Sequence, residues 1–245
     1  KAGTLKMGVP PLLASQILAD LARDFFTPAG RIELRISIRS GPALLDELNA
    51  ADIARFHSAL IEHLKQGAVP PAIPSTALWQ AIEDNHRCNI ALWDEEDQAR
   101  RRDVSDGAIA NSKRLIDGHN QRRNDAIERI DELVLTALPN APETARLHSE
   151  TVGALIDRLS ILSLKIYHMD WQTRRVDAEA AHHTTSRERL ARLLEQRADL
   201  AWCLDELTRG CLAGTLRFKV YRQFKMYNDP RFNPWLSTSS AKPLA

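Results

Sequence analysis

The sequence predicts an all-α protein: a long antiparallel helical bundle with a small N-terminal helical region that carries one short strand. Apolar residues recur at helical spacing over four long stretches, residues 76–102, 107–137, 144–170 and 186–212. The connections between these stretches are short, and prolines separate the second from the third. Because short connections join helices that lie side by side in opposite directions, an antiparallel bundle is the expected arrangement.

The N-terminal region is predicted to hold helices over residues 10–26 and 50–66 and a short helix after Gly41. Between the first two lies the one stretch that alternates apolar and polar residues as a strand does, residues 31–39. A single strand cannot satisfy its own backbone hydrogen bonds. It must pair either with a short partner elsewhere in the chain or with the same strand of a second subunit, which predicts a homodimer.

A proline-rich segment divides this region from the long helices. Residues 67–75 contain three prolines, which restrict the backbone and remove amide donors, so a stiff linker is predicted. The predicted division is residues 1–68 as the N-terminal region, 69–75 as the linker, 76–235 as the bundle domain and 236–245 as a flexible tail.

The overall composition excludes several functional classes. The formal net charge of +1 gives no general attraction to nucleic acid or to anionic lipid. No stretch approaches the roughly 18 apolar residues that a membrane-spanning helix requires. Three cysteines without a paired spacing indicate reduced thiols, and a cytoplasmic location is expected.

Polar side chains interrupt the apolar stripes of three predicted helices. In the second long helix, a seam with alternating steps of four and three residues runs from residue 109 to residue 134. That seam contains Lys113, Asn120 and Arg123 among its isoleucines. The first helix places His86, Asn89, Glu96 and Arg100 on its apolar face, and the third holds Asp157, Arg158 and Lys165 in a nearly continuous apolar run. Burying such groups without partners costs several kcal/mol each.

Two interpretations of these residues remain open. One is a buried network of hydrogen bonds and ion pairs that defines how the helices align. The other is a ligand pocket in the bundle core whose cations face an anionic group. The predicted ligand-binding residues are Asn89, Trp93, Arg100, Lys113, Asn120, Gln121, Arg123, Asn124, Arg158 and Lys165. The candidate acids and bases are Glu96, Asp97, Asp117, Asp125, Asp157 and His86.

No cofactor or metal is predicted. The chain has no glycine-rich phosphate loop, nucleophile elbow or dinucleotide fingerprint. His182 and His183 are adjacent, and neighbouring side chains diverge on a helix, so a surface location is favoured over a metal site. Residues 217–227 alternate basic and aromatic side chains. They either stack on nucleic acid bases or, as we favour, dock on the bundle through Phe218, Tyr221, Phe224 and Tyr227.

The same unusual residues resemble a bacterial family of helical proteins, domain-of-unknown-function family forty-two fifty-four. The resemblance covers roughly residues 76–235 and is carried by four blocks, at residues 89–100, 113–125, 150–166 and 225–230. The first block contains Asn89, Trp93 and Glu96, and the third block contains Asp157 and Arg158. Members of this family resemble proteins that occur beside heptosyltransferase-like glycosyltransferases. The resemblance therefore implies a role in surface-polysaccharide or lipopolysaccharide assembly.

Three functions compete at this point. The first is an enzyme or binding protein that holds or transfers a small anionic ligand, a phosphorylated sugar or nucleotide-sugar. The second is a non-catalytic helical adaptor that binds a glycosyltransferase or its own copy. The third is an enzyme similar to the helical chorismate mutases, which also place Arg and Lys inside a bundle.

Overall fold

A computed structural model of the chain describes residues 6–8, 35–37, 45, 48–222, 229–233 and 235–236. These residues contain five long helices: α1 (Ala50–Gln66), α2 (Ala77–Gln98), α3 (Asp106–Ala137), α4 (Val152–Thr173) and α5 (Ala180–Leu212). Two short parallel sheets join β1 (Lys6–Gly8) to β2 (Arg35–Ser37) and β3 (Arg146–Leu147) to β4 (Leu216–Arg217). The prediction of an all-α helical bundle is confirmed.

Helices α1 to α4 begin where a side chain can supply a missing hydrogen-bond acceptor to the first turn. Ser105 accepts a hydrogen bond from the amide of Ala108 at 3.3 Å and caps α3. Thr151 accepts from the amide of Ala154 at 3.1 Å and caps α4. At the start of α2, Thr76 accepts from the amide of Trp79 at 3.2 Å and is the cap.

Two helical hairpins form the bundle. Helices α2 and α3 pack on each other along their length, as do α4 and α5. Helix α4 contacts each of the other four helices, and α1 packs on α4 and α5. Helix α4, which corresponds to the third long helix predicted from the sequence and is nearly all apolar, is therefore central. Its central place explains its composition, because a helix surrounded by neighbours buries several faces.

One hydrophobic core spans all five helices. It includes Ile53 and Leu60 of α1 together with Ile82 of α2, Ile156 of α4 and Leu204 of α5. Helix α1 precedes the proline-rich segment yet shares this core, so residues 67–75 connect two packed elements. The division of the chain at residues 69–75 stays a prediction.

The predicted strand has its partner in the same chain. Residues 35–37 pair in parallel with residues 6–8, in a register that places Met7 opposite Ile36. This pairing removes the reason for invoking a second subunit at the strand. The helix predicted over residues 10–26 lies outside the described residues, as does the tail from residue 237.

Two predicted helix boundaries were wrong. Helix α4 begins at Val152 instead of near residue 144, because residues 146–147 pair with β4. Helix α5 begins at Ala180 instead of residue 186. None of the helices within the described residues is both long and apolar enough to cross a membrane.

The C-terminal segment docks through one aromatic residue within the described part of the chain. Phe218 is buried, whereas Tyr221 is largely exposed, so the prediction that Tyr221 docks on the bundle was wrong. Arg222 instead pairs with Glu132 of α3 at 2.9 Å. Phe224 and Tyr227 lie outside the described residues.

Candidate functional site

A network of polar side chains lies between α2 and α4. Asn85 and Asn89, one turn apart on α2, donate from Nδ2 to Oδ1 of Asp157 at 2.9 and 2.8 Å. Asn89 also donates to Oγ of Ser160 at 2.9 Å. All four side chains are buried. Because Asp157 and Ser160 are three residues apart on α4, they present both acceptors to the same turn of α2.

His86 continues this network towards α1. Its Nε2 lies 2.9 Å from the carbonyl oxygen of His57, which can only accept, so Nε2 carries the proton. Its Nδ1 then accepts from the Ser160 hydroxyl at 2.7 Å. Burial lowers the pKa of His86 to about 4, so the imidazole is neutral at pH 7. His86 therefore orders the network as a neutral imidazole and does not act as a charged acid at this pH.

The His57 ring packs on the His86 ring, with centroids 4.2 Å apart. Burial, and then the neighbouring His86, hold the pKa of His57 well below its ordinary value. Neither ring nitrogen of His57 has a hydrogen-bond partner among the described residues. The ring thus behaves as an apolar core group at neutral pH.

Arg123 is the predicted cation that reaches this network. Its side chain is 27 % exposed, and its Nε lies 3.8 Å from Oδ1 of Asp157. That separation is within ion-pair range but too long for a hydrogen bond. Arg123 consequently compensates the buried carboxylate without orienting it.

The prediction that four further cations face the interior was wrong. The side chain of Lys113 is 57 % exposed and that of Arg158 is 54 % exposed. Arg100 and Lys165 are also exposed. Arg100 lies beyond the end of α2, where it pairs with Glu96 at 2.6 Å, and Lys113 lies 3.7 Å from the same carboxylate.

The misplacement of Lys113 has a geometric cause. Steps of four and three follow a 3.5-residue period, whereas a straight α-helix has 3.6 residues per turn, a drift of about 20° per heptad. Over the three heptads from Val134 back to Lys113, the drift moves Lys113 off the buried stripe. Ser112 occupies the buried position instead.

Two of the exposed cations line a groove between α4 and α5. Arg158 and Lys165 from α4 face Gln196, Asp199 and Leu200 from α5 across a space of about 720 Å³. Glu150 lies in the same wall and pairs with Arg158 at 3.4 Å. Leu155, Ile161 and Leu162 supply apolar surface. We call this space the α4–α5 groove.

A second chamber of about 460 Å³ lies next to the α4–α5 groove. Lys165 and Gln196 line both spaces. The second chamber adds Trp93, whose ring stacks on His168 with centroids 4.3 Å apart. It also adds Arg189 and Arg192. Lys165 and these two arginines form no ion pair with any residue that the structure describes.

The candidate acids and bases are dispersed. Asp97, Asp117 and Asp125 are exposed, Glu96 is half-buried between Arg100 and Lys113, and Asp157 and His86 belong to the interior network. None of the six lines the α4–α5 groove. The structure therefore does not bring the predicted acids and bases together.

The remaining predicted ligand residues lie on α3. Asn120 is half-buried, and Gln121 is exposed and donates to Asp125 at 2.7 Å. Asn124 is buried and lines a small cleft that also contains Asp131. None of these three predicted residues lines the α4–α5 groove.

Asp131 is a buried titratable group that the sequence reasoning missed. Its Oδ1 accepts from the amide of Gly153 at 2.6 Å, and it also hydrogen-bonds Thr151. Burial raises the pKa of Asp131 to about 6, against the effect of those two hydrogen bonds. The signal that the sequence offered for its burial was its position next to Ile130, which belongs to the apolar seam. Asp131 ties α3 to the start of α4.

The described residues contain no cluster of three metal-binding side chains. His182 and His183 are half-buried, and they hydrogen-bond Oε1 of Gln172 and the carbonyl of Thr173 at 3.1 and 3.0 Å. They fasten the start of α5 to the end of α4. Cys88, Cys203 and Cys211 are free thiols.

Comparison with known proteins agrees with the resemblance drawn from the sequence. Residues 79–220 match the model of a family described as "Protein of unknown function (DUF4254)". The match begins in α2 and ends after β4, and so takes in the interior network and both walls of the α4–α5 groove. No curated protein and no solved structure matches the chain. Since the matched region is more than half of the chain, the protein belongs to the DUF4254 family.

Proposed function

We propose that the protein binds an anionic phosphorylated sugar or nucleotide-sugar in the α4–α5 groove. The observation that carries this proposal is the position of Lys165. It lines both chambers, has Arg158 on one side and Arg189 and Arg192 on the other, and has no ion-pair partner among the described residues. Cations that lack carboxylate partners are available to a phosphate group.

The walls of the groove suit an organic anion better than an inorganic one. The first chamber offers leucines and an isoleucine beside polar groups, and the second offers the Trp93 ring and Met169. Ligand sites typically measure about 300–1,000 Å³ and combine apolar walls with a few polar groups. A sugar or base would lie on the apolar surface while its phosphate contacts Lys165. Such a ligand fits the role in surface-glycan assembly that the family resemblance implies.

Transfer chemistry in this groove would draw on Glu150 and Asp199, the carboxylates among its lining residues. Glu150 pairs with Arg158 at 3.4 Å, and this contact orients its carboxylate. An interior reaction of the chorismate mutase type has less support. Among the cations predicted to face the core, Arg123 alone reaches it within the described residues.

Isothermal titration calorimetry with glucose 1-phosphate and UDP-glucose tests the proposal. We expect one of these probes to bind saturably, and Lys165→Gln to weaken that binding at least about tenfold because a charge-assisted contact is lost. Lys113→Gln is the matched control, since it removes the same charge from an exposed position outside the groove. The proposal fails if neither probe binds, or if the two variants weaken binding equally.

A second candidate, the helical adaptor, rests on exposed tryptophans. Trp202 on α5 is 64 % exposed and Trp171 on α4 is 56 % exposed. Tryptophan is enriched at protein–protein contacts because of its large apolar area. Light scattering of the purified protein and pull-down with a glycosyltransferase test this candidate. A strictly monomeric protein that captures no partner contradicts it.

A further inference from the structure

A separate groove lies between α2 and α3, and it shares no residue with the α4–α5 groove. Its volume is about 500 Å³. The space stays open because small side chains, those of Ala81, Cys88 and Ala126, occupy positions where larger ones would fill the gap between the two helices. Three arginines from the two helices line it: Arg87, Arg122 and Arg129. We call this space the α2–α3 groove.

Arg122 has neutral neighbours in this groove. Its Nη2 donates to Nδ1 of His119 at 2.9 Å, and its side chain also hydrogen-bonds the Cys88 thiol. Arg122 forms no ion pair with a carboxylate among the described residues. Burial, and then the charge of Arg122, lower the pKa of His119. The guanidinium of Arg122 therefore lies in the α2–α3 groove without an ion-pair partner among the described residues.

The carboxylates nearby have other partners. Asp84 and Asp125 line the groove but form no ion pair with Arg122 among the described residues, and they accept hydrogen bonds from Gln80 at 3.1 Å and Gln121 at 2.7 Å. The other two arginines have acidic neighbours on their own helices. Arg87 pairs with Glu83 at 2.7 Å, and Arg129 lies 3.9 Å from Glu132. Arg122 is thus the guanidinium of this groove that is open to a new partner.

We propose that the α2–α3 groove binds a phosphate monoester, with Arg122 as the principal contact and Arg87 and Arg129 beside it. A guanidinium presents a planar pair of donors that matches two phosphate oxygens. Asp84 and Asp125 repel a larger polyanion, which favours a single phosphoryl group over a polyphosphate. This site is independent of the ligand proposed for the α4–α5 groove.

Nuclear magnetic resonance of the full chain tests the site, with inorganic phosphate and glycerol 3-phosphate as probes. A bound anion offsets the charge of Arg122, so we expect a saturable shift of the His119 ring signal and a rise in the pKa of His119. Sodium chloride at matched ionic strength separates binding from screening. Arg122→Gln should weaken binding of both probes at least about tenfold.

Arg158→Gln, in the other groove, is the matched control and should leave the His119 response unchanged. The melting temperature of each variant shows that it is folded. The proposal is overturned if phosphate moves the His119 signal no more than chloride does. It is also overturned if folded Arg122→Gln binds the probes as the parent does.

Discussion

Asp157 and Arg158 are neighbours in the sequence but belong to two different environments. Asp157 points into the core, where Asn85 and Asn89 saturate its Oδ1 and Arg123 offsets its charge. Arg158 points outward into the α4–α5 groove, where Glu150 is its one ion-pair partner among the described residues. The interior network is closed and paired, whereas the groove holds cations without partners. The first arrangement suits helix alignment and the second suits ligand binding.

The largest effect should come from breaking the interior network. Asp157→Ala leaves two amides without their acceptor and a guanidinium without its ion-pair partner, so we expect the free energy of unfolding to fall by about 3–5 kcal/mol. Urea denaturation followed by circular dichroism measures the loss. A loss below about 1 kcal/mol would mean that the network is hydrated and that the contrast with the groove is wrong.

Acid should weaken the interior network. The pKa of His86 is lowered to about 4 in the folded state and lies near 6.5 when unfolded, so the unfolded chain binds more protons between these values. Stability is therefore full above pH 6.5 and falls as the pH decreases towards 4. A shift of this size corresponds to about 3 kcal/mol, and His57 acts in the same direction.

Asp131 opposes this acid effect and makes the prediction more specific. Its folded-state pKa is raised to about 6, so the native state binds the extra proton between about 3.8 and 6. The stability that it contributes is present at low pH and is lost as the pH rises through this range. Asp131→Asn should therefore lose stability more steeply than the parent between pH 6 and 4. Melting curves of the parent and of Asp131→Asn across that pH range test this prediction. Identical dependence of the melting temperature on pH would contradict the role assigned to Asp131.

Gly153→Ala tests how closely α3 approaches the start of α4. A Cβ at this position would lie 2.5 Å from the carbonyl oxygen of Ile127 and 2.9 Å from Oδ1 of Asp131. We expect a loss of about 1–3 kcal/mol from this overpacking. Gly118→Ala is the control, because its nearest neighbour is the end of the flexible Arg122 side chain at 3.6 Å. That change should stabilise α3 by about 0.5–1 kcal/mol, and equal effects at the two positions would contradict the close approach.

The smallest effect on stability should come from Arg158→Ala. The side chain is 54 % exposed, and surface ion pairs contribute about 0–1 kcal/mol. We therefore expect melting within a few degrees of the parent, together with weaker binding of the ligand proposed for the groove. A loss comparable to that of Asp157→Ala would place Arg158 in the core and remove the distinction between the two faces of α4.

The sequence predicted the helices better than it predicted the faces of those helices. Polar groups at His86, Asn89, Arg123 and Asp157 did mark the interior, because each interrupts a strongly apolar stripe. Lys165 could not be placed in this way, because α4 is apolar nearly all round and periodicity does not say which face meets a neighbour. Ser160, which also lies on α4, was missed for the same reason.

The sequence by itself determined the all-α class and the presence of polar groups in the core, since periodicity is a local property of the chain. Only the tertiary structure decided that β2 pairs with β1 and that Asp131 joins Gly153. It also decided that Lys165 lines a groove instead of facing the core. These outcomes depend on how helices rotate and cross when they pack, which is set by contacts between residues far apart in the chain.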